Sequence, residues 1–423
     1  MEQRFLLGAA TAAHQVEGNN IHSDFWTMEQ LPHSSFVEPS MDAVDHYNRY
    51  EEDIRLLSDA GLNAYRFSIE WARIEPEEGK FDEKELAHYR DVVRCCYENN
   101  VTPVVTMMHF SSPAWLIGKG GWAKPYVADA FARYCEYVVE NIGEELPYIC
   151  TINEANMGLQ LKKISERYMQ LLETAKEGDV QVGVNFDMEN IKLNMMEQAQ
   201  AFQCDPREIN TFLSGRSEEQ ERYVMEAHKA AKAAIKLVCP DAKVGLTLSL
   251  YDIQALPGGE KEAEKLWQED FGIYLPYIIE DDFLGVQNYT RKVIGPEGQV
   301  EPETERPRTQ MDYENYPWSI GRLLRRVAEE FPGELLVTEN GISIGDDSVR
   351  CDFIREAVGS VMEAKKDGVP VFGYCYWSLL DNFEWQAGYG KTFGLIAVDR
   401  KTQTRFPKES LKVLGGLISG SKD

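Results

Sequence analysis

Two glutamates, Glu154 and Glu339, each end an apolar run of this chain. Glu154 closes the run Tyr148–Asn153, and Glu339 closes the run Leu335–Thr338. Such runs, which lack a 3.6-residue periodicity, are typical of strands that are covered on both faces. A carboxylate at the tip of a buried strand is costly to bury unless it has a use. Two carboxylates that face one cleft are the groups that glycoside hydrolysis requires.

The residues near each glutamate indicate how the two would divide this chemistry. The separation of the carboxyl groups distinguishes inverting from retaining catalysis, and the sequence alone leaves it open. Arg66 lies in another apolar run and needs a carboxylate partner if it is buried. Pairing with Glu339 would keep that carboxylate ionised, as a nucleophile requires. Glu154, with fewer compensating charges, would have a raised pKa and suit the acid role, and the neighbouring amide of Asn153 could hold a sugar hydroxyl.

Aromatic residues are concentrated near the ends of the same runs. They are Trp71, His109, Phe110, Trp115, Trp122, Tyr289, Trp377 and Trp385. Sugar rings present C–H faces, so aromatic surfaces with a few fixed polar groups are typical of carbohydrate pockets. Taken singly, each tryptophan is more often a core residue. The segment Trp377–Trp385 is the densest case, because it also carries Asp381 and Glu384.

Eight strand-like runs alternate with amphipathic helical stretches along the chain. The runs are Phe5–Ala13, Ala64–Ile69, Val101–His109, Tyr148–Asn153, Lys243–Ser249, Phe283–Gln287, Leu335–Glu339 and Val371–Ser378. The helical stretches are Tyr47–Asp59, Glu83–Glu98, Tyr126–Asn141, Glu219–Val238, Glu262–Ile279, Ile320–Phe331 and Val349–Lys366. This alternation predicts an α/β protein, a (β/α)8 TIM barrel in which residues 1–423 form a single domain. Glu154 and Glu339 would end its fourth and seventh strands, on the face where such barrels carry their chemistry.

Two stretches exceed the needs of a minimal barrel. Residues 178–216 are polar and rich in Asn, Gln and Met, and residues 291–317 carry many Glu, Pro and Gly. Because both follow strands, we interpret them as elongated βα loops on the catalytic face, where they would wall the cleft. For each stretch, the alternative that it is a surface loop without a function is equally favoured.

The overall composition excludes several classes of protein. The net charge is −26, from 70 acidic and 44 basic residues, and the absence of a basic stripe argues against nucleic acid as a partner. No apolar stretch is long enough to span a membrane, and the N-terminus lacks the pattern of a signal peptide. The eight cysteines include no CxxC pair, so we expect buried free thiols. Together these features predict a cytoplasmic protein without a membrane partner.

Several motifs, taken together, resemble glycoside hydrolase family 1, the β-glucosidase family. They are Phe5–Gly18, Asp45–Pro76, His109, the TINE of Thr151–Glu154, the FLGVQNYT of Phe283–Thr290, the TENG of Thr338–Gly341, the YWSLLDNFEW of Tyr376–Trp385, and Phe393–Arg405. They extend over most of the chain, and their number and order make chance a negligible explanation.

The resemblance implies a retaining β-glycosidase with Glu154 as acid/base and Glu339 as nucleophile. It further implies that Trp377 is the platform of the nonreducing sugar and that the residues binding its hydroxyls are Gln15, His109, Asn153, Glu384 and Trp385. Arg66 and Tyr289 would contact Glu339. The family implies no metal and no organic cofactor, and its substrates are small-molecule β-glycosides or short oligosaccharides.

The chain departs from the family pattern at several positions. Ala155 stands where a proline usually follows the acid/base glutamate, which predicts a looser loop after the fourth strand. Phe110 replaces a usual Trp, and Gln287 and Asn288 replace a usual Asn and Tyr; the longer Gln287 amide could alter contacts with the sugar 2-hydroxyl or with Glu154. Residues 178–216 do not match the common pattern.

The charge of the residue at position 384 indicates whether the sugar is neutral or phosphorylated. Relatives that act on 6-phosphorylated sugars replace the glutamate at position 384 and add a tyrosine later, whereas this chain has Glu384 and Phe393, although Lys391 is present. A carboxylate at that point would repel a phosphate, so we expect a neutral sugar. Glucose, galactose and fucose stay open, and so do two alternatives to hydrolysis: transglycosylation and a noncatalytic carbohydrate-binding barrel.

Overall fold

A parallel sheet that closes on itself forms the centre of the molecule. The structure, a computed structural model, describes residues 4–163, 166, 188–302 and 304–419. Its strands are β1 (Leu6–Ala10), β2 (Ala64–Ser68), β3 (Thr102–Met108), β4 (Tyr148–Ile152), β5 (Lys243–Gly245), β6 (Thr247–Ser249), β7 (Asp252–Ala255), β8 (Phe283–Gln287), β9 (Arg291–Gly295), β10 (Gly298–Val300), β11 (Glu334–Asn340), β12 (Val371–Trp377), β13 (Ile396–Asp399) and β14 (Thr404–Pro407). The central sheet has the order β5-β4-β3-β2-β1-β12-β11-β8-β6, and its neighbours are parallel.

The barrel closes through the two halves of the predicted fifth strand. β5 pairs with β4, and β6 pairs with β8, so the segment Lys243–Ser249 joins both ends of the sheet. The ladder is interrupted at Leu246, whose carbonyl accepts a hydrogen bond of 2.9 Å from the amide of Gly285. Counting this segment as one strand gives the eight positions of a (β/α)8 barrel, which confirms the predicted fold.

Helices follow most of the strands and pack on the outside of the barrel. The α-helices that the structure describes in full are Ala13–Val16, Asp24–Glu29, His46–Asp59, Trp71–Ile74, Glu83–Glu98, Ala114–Ile117, Tyr126–Ile142, Met188–Phe202, Glu218–Val238, Glu260–Trp267, Leu275–Ile278, Ser319–Glu330, Asp347–Lys366 and Glu409–Ser419. Residues 157–163 are also helical. Short 3₁₀ turns cover Gly121–Ala123, Gly143–Glu145, Pro206–Glu208 and Trp385–Ala387, and a π turn covers Gln268–Gly272.

Three predicted elements differ from the observed ones. The first strand ends at Ala10, and the residues beyond it form the short helix that carries Gln15. The predicted helix Glu262–Ile279 is broken into two helices by the π turn, because Gly272 and Pro276 disfavour a continuous helix there. Part of the stretch 178–216 is the helix Met188–Phe202, which is rich in the good helix formers Met, Leu, Glu, Gln and Ala. Residues 178–187 lie outside the described residues.

The second predicted excursion, residues 291–317, forms part of a small accessory sheet. β9 pairs in parallel with β7 and antiparallel with β10. A separate antiparallel hairpin joins β13 to β14. Both additions lie outside the barrel ladder, so they extend the structure around the barrel without interrupting it.

The interior of the barrel is filled at the end where its strands begin. Buried side chains from seven strands form one cluster there: Leu6, Ala64, Val104, Tyr148, Cys150, Phe283, Leu336 and Phe372. All eight cysteines are free thiols, and seven of them are buried, as predicted. Among the described residues, no helix is both long enough and apolar enough to cross a bilayer.

Candidate active site

A cavity of about 370 Å³ opens where the barrel strands end. Its lining residues are His109, Phe110, Glu154, Met157, Gln160, Leu161, Leu213, Ser249, Leu250, Tyr251, Tyr289, Met311, Tyr313, Glu339, Trp377, Glu384, Trp385 and Phe393. The topology explains this concentration, because the carboxyl ends of parallel strands in a barrel meet on one face. Both predicted excursions contribute to the wall, through Leu213 and through Met311 and Tyr313.

Glu339, near the end of β11, is held by two hydrogen-bond donors. Nη1 of Arg66 lies 2.5 Å from Oε1, and the hydroxyl of Tyr289 donates to Oε2 at 2.7 Å. The predicted contacts with Glu339 are therefore present. Arg66 is fully buried on β2, so its charge acts on Glu339 with little screening by water.

Glu154 directly follows the Asn153 that comes after β4, and it has fewer stabilising partners. Its backbone amide donates to Oγ1 of Thr247 at 2.8 Å. Its carboxyl group interacts with the Ser249 hydroxyl, which lies on β6. The barrel's closing segment thus supplies the neighbours of Glu154 from two residues that point to the same side of the strand.

Burial separates the proton affinities of the two glutamates. It raises the pKa of Glu154 well above the ordinary 4.5, and repulsion from Glu339 raises this pKa further. Burial also raises the pKa of Glu339, but Arg66 and Tyr289 oppose it by stabilising the ionised carboxylate. Desolvation outweighs the pairing, so the pKa of Glu339 is raised from its ordinary value. The order of the two groups is as expected: Glu339 ionises before Glu154.

Asn153 lies at the centre of a buried hydrogen-bond network beneath the two glutamates. Its Oδ1 accepts hydrogen bonds from Nη2 of Arg66 at 2.6 Å, Nε2 of Gln287 at 2.7 Å and Oγ1 of Thr247 at 3.2 Å. Its Nδ2 lies 3.1 Å from Nε2 of His109. Gln287 therefore contacts Asn153 rather than Glu154. The network fixes the position of the Asn153 amide and links Arg66 to the strand that follows Glu154.

The loop after β4 is anchored rather than loose, so that expectation is wrong. The amide of Ala155 donates to the carbonyl of Thr247 at 2.9 Å, a bond that a proline at this position could not make. Ala155 is fully buried, and Nη2 of Arg216 lies 3.4 Å from its carbonyl oxygen. The alanine that departs from the family pattern therefore adds a tie between Glu154 and the closing strand.

Two aromatic rings and two polar side chains form the other end of the cavity. Trp377 ends β12, and its ring stacks with the ring of His109 at 5.6 Å between centroids. The ring of Trp385 also stacks with His109, at 6.2 Å. Burial lowers the pKa of His109 well below 6.5, so its ring is neutral. Burial and the charge of Glu339 raise the pKa of Glu384 to about 8. Nε2 of Gln15 lies 3.4 Å from Oε2 of Glu384, and no residue that the structure describes forms a hydrogen bond with Oε1 of Gln15.

Three non-glycine residues of the cavity adopt left-handed backbone conformations. The φ angles are 69° at Phe110, 44° at Glu154 and 49° at Trp385. Such conformations cost on the order of 1–3 kcal/mol each and persist where the surrounding structure fixes them. Their grouping around one cavity marks it as a functional site by a criterion independent of the side chains.

The structure brings most of the predicted site residues to this cavity and places a few behind it. Glu154, Glu339, His109, Tyr289, Trp377, Glu384 and Trp385 line it. Arg66, Asn153, Gln287 and Gln15 are fully buried next to lining residues. Trp122 is in the core, where its Nε1 donates to Ser112 and its ring packs on Phe131 and Phe212.

The sequence analysis missed the contribution of the fifth strand. Thr247 and Ser249 contact the Asn153–Glu154 pair, and Tyr251 lines the cavity shortly beyond them. The signal was available, since polar residues alternate at 247 and 249 in an otherwise apolar strand. In the described part of the chain, no group of three or more His, Cys, Asp or Glu side chains is arranged to hold a metal ion.

Comparisons with known proteins give matches over most of the chain. The profile of glycosyl hydrolase family 1 matches residues 1–170 and 274–422. A 1,4-beta-D-glucan glucohydrolase of Thermotoga neapolitana is 31% identical over 96% of this chain and 95% of its own length. A crystal structure of the β-glycosidase BGL167 is 42% identical, with a TM-score of 0.88 over 98% of this chain and 96% of that one. A β-glucosidase from Thermotoga maritima, solved with deoxynojirimycin, is 27% identical, with a TM-score of 0.78 over 98% and 97% of the two chains. The predicted departure at residues 178–216 lies within the part that the family profile does not match.

Proposed function

This chain belongs to glycosyl hydrolase family 1 and is a β-glucosidase-type glycoside hydrolase, and on that premise we propose that it releases terminal nonreducing β-D-glucosyl residues with retention of configuration. In this proposal Glu339 is the nucleophile and Glu154 is the acid/base. The observation that carries it is the unequal environment of the two carboxyl groups in one cavity. Arg66 and Tyr289 stabilise the carboxylate of Glu339, whereas burial favours the protonated form of Glu154.

The first step forms a covalent glycosyl-enzyme. The Glu339 carboxylate attacks the anomeric carbon as the bond from that carbon to the leaving oxygen breaks, and Glu154 gives its proton to that oxygen. In the second step, the Glu154 carboxylate takes a proton from water, and the water oxygen displaces Glu339 from the anomeric carbon. Glu154 is then protonated again and Glu339 is ionised again. Retention follows because two displacements occur at the same carbon.

The sugar would be held by groups at the Trp377 end of the cavity. Trp377 offers an indole face for the C–H surface of a pyranose. Neutral His109, together with Glu384 and the buried Gln15 behind it, supplies hydrogen-bonding atoms for hydroxyl groups. Phe393, which lines the same cavity, provides no polar group for a phosphate. A neutral sugar therefore fits this end better than a 6-phosphorylated one.

The experiment is a kinetic panel of nitrophenyl β-glucoside, β-galactoside, β-fucoside and β-mannoside. We expect turnover of the β-glucoside, and NMR of the first product formed should show the β-anomer of glucose. Absence of turnover on every aryl β-glycoside by the folded protein would refute the proposed activity. The α-anomer as the first product would leave the activity standing and refute the retaining mechanism.

A further inference from the structure

The wall of the cavity next to Glu154 is largely aliphatic. Residues 157–163 form a helical segment directly after Glu154, and Met157 and Leu161 are spaced four residues apart on one of its faces. Leu250 follows Ser249, the residue whose hydroxyl interacts with Glu154. Leu213 completes the set, and all four side chains line the cavity. We call these four residues the aliphatic wall.

The position of the aliphatic wall decides which part of a substrate it contacts. Under the proposed function, on which this inference rests, Glu154 must reach the oxygen that links the sugar to its leaving group. Met157, Leu161 and Leu250 follow Glu154 or its partner Ser249 in the chain and line the cavity, so they lie toward the leaving group. The sugar itself lies toward Trp377 and Glu384, where the polar groups are concentrated.

Amide groups near the aliphatic wall are already engaged with the protein. Nε2 of Gln160 donates to the carbonyl of Ser249 at 2.9 Å. Nδ2 of Asn156 donates to the same carbonyl at 2.8 Å and to that of Asp270 at 3.0 Å. A second sugar ring would bring several hydroxyls against this wall, and burying a hydroxyl without a partner is costly. An apolar leaving group would instead pack against the apolar side chains of the aliphatic wall.

The outer rim of this region has a different character. Tyr251 and Tyr313 line the cavity and also line the adjoining cavity formed with Thr290, Lys292 and Gln299. Phenol side chains combine an apolar ring with a polar tip, so they suit the place where a bound group leaves an apolar wall for water. The path from Glu154 outward is therefore apolar first and polar at its end.

We propose that the leaving-group site takes an alkyl or aryl aglycone in preference to a second sugar. Two members of the aliphatic wall, Leu213 and Leu250, lie in the part of the chain that the family profile does not match. The natural substrates are then β-glucosides of apolar alcohols or phenols rather than cello-oligosaccharides.

The test compares kcat/KM for methyl β-glucoside, hexyl β-glucoside and cellobiose. The 4-hydroxyl of glucose is a better leaving group than a simple alkanol, so chemistry alone would favour cellobiose. We expect hexyl β-glucoside to exceed both other substrates by about tenfold or more, which corresponds to the burial of about two methylene groups. Equal or faster cleavage of cellobiose would overturn the inference. Failure to cleave any of the three, and nitrophenyl β-glucoside as well, would instead refute the proposed function.

Two variants locate the preference on the aliphatic wall. In Leu161→Gln and in Leu213→Gln, the ratio of kcat/KM for hexyl to methyl β-glucoside should fall about fivefold. Leu237→Gln is the matched control, because Leu237 is 80% exposed on the helix Glu218–Val238 and does not line the cavity. An unchanged ratio in both folded wall variants would overturn the assignment.

Discussion

Each side of the cavity presents a carboxyl group, but the two groups differ in how strongly their neighbours stabilise the ionised form. Glu339 lies against a buried guanidinium and a phenol, both of which donate to its oxygens. Glu154 has a serine hydroxyl and a left-handed backbone, and its strongest electrostatic neighbour is the like charge of Glu339. In the proposed mechanism, neighbours rather than residue type assign the roles of acid and nucleophile.

The largest loss of activity is expected when the carboxylate of Glu339, which has the stabilising neighbours, is removed. Glu339→Gly should lower kcat on nitrophenyl β-glucoside by roughly 10⁵-fold or more, because no covalent intermediate can form. Added azide should restore turnover and give the α-glycosyl azide, identified by NMR. Glu297→Gly, in the exposed turn between β9 and β10, is the control and should keep full activity. A β-glycosyl azide from the Glu339 variant would reverse the assignment.

Removal of the Glu154 carboxyl group should lower activity less, and the size of the loss should depend on the leaving group of the substrate. Glu154→Ala is expected to lower kcat/KM for alkyl β-glucosides by about 10²–10⁴-fold, the usual contribution of a general acid. Dinitrophenyl β-glucoside, which needs no proton, should form the intermediate at close to the normal rate, and azide should then give the β-glycosyl azide. Equal losses on both substrates, measured in the pre-steady state, would contradict an acid role.

A milder variant weakens the support of Glu339. Tyr289→Phe removes the 2.7 Å hydrogen bond and should lower kcat/KM by roughly 10–100-fold, the range for a hydrogen bond to a charged group. Loss of a group that lowers the pKa of Glu339 raises that pKa, and Glu339 acts when ionised. The acidic limb of the kcat/KM profile should therefore move to higher pH. An acidic limb that stays in place would show that another group controls it.

The smallest effect is expected from the corresponding change beside Glu154. Ser249→Ala removes the hydroxyl that lowers the pKa of Glu154, so this pKa should rise. Glu154 acts first as an acid, and its protonated form would persist to higher pH, so the alkaline limb should move to higher pH. The acidic limb serves as the internal control and should not move. A shift of the acidic limb alone would mean that Ser249 acts on Glu339.

The fold was predictable because its signals are local and repeated. Eight apolar runs separated by amphipathic helices specify the barrel, and strand-end glutamates specify its chemical face. The state of the site was less predictable, since it depends on contacts between residues far apart in sequence. The amide of Ala155 bonds to Thr247 on the fifth strand, and the three donors on the Asn153 oxygen come from the second, fifth and sixth strands. The net upward pKa of Glu339 depends on the extent of its burial, which the motif does not encode.

The cluster of side chains that fills the barrel where its strands begin closes the inner end of the cavity. Because Leu6, Tyr148, Phe283 and Phe372 pack beneath the site, substrate would enter and products would leave through the same opening, at the strand ends. In the proposed mechanism the aglycone lies nearer to that opening than the sugar, so it departs before water reaches the glycosyl-enzyme. Glucose is then the last to leave, and it competes with incoming substrate for the inner end of the cavity.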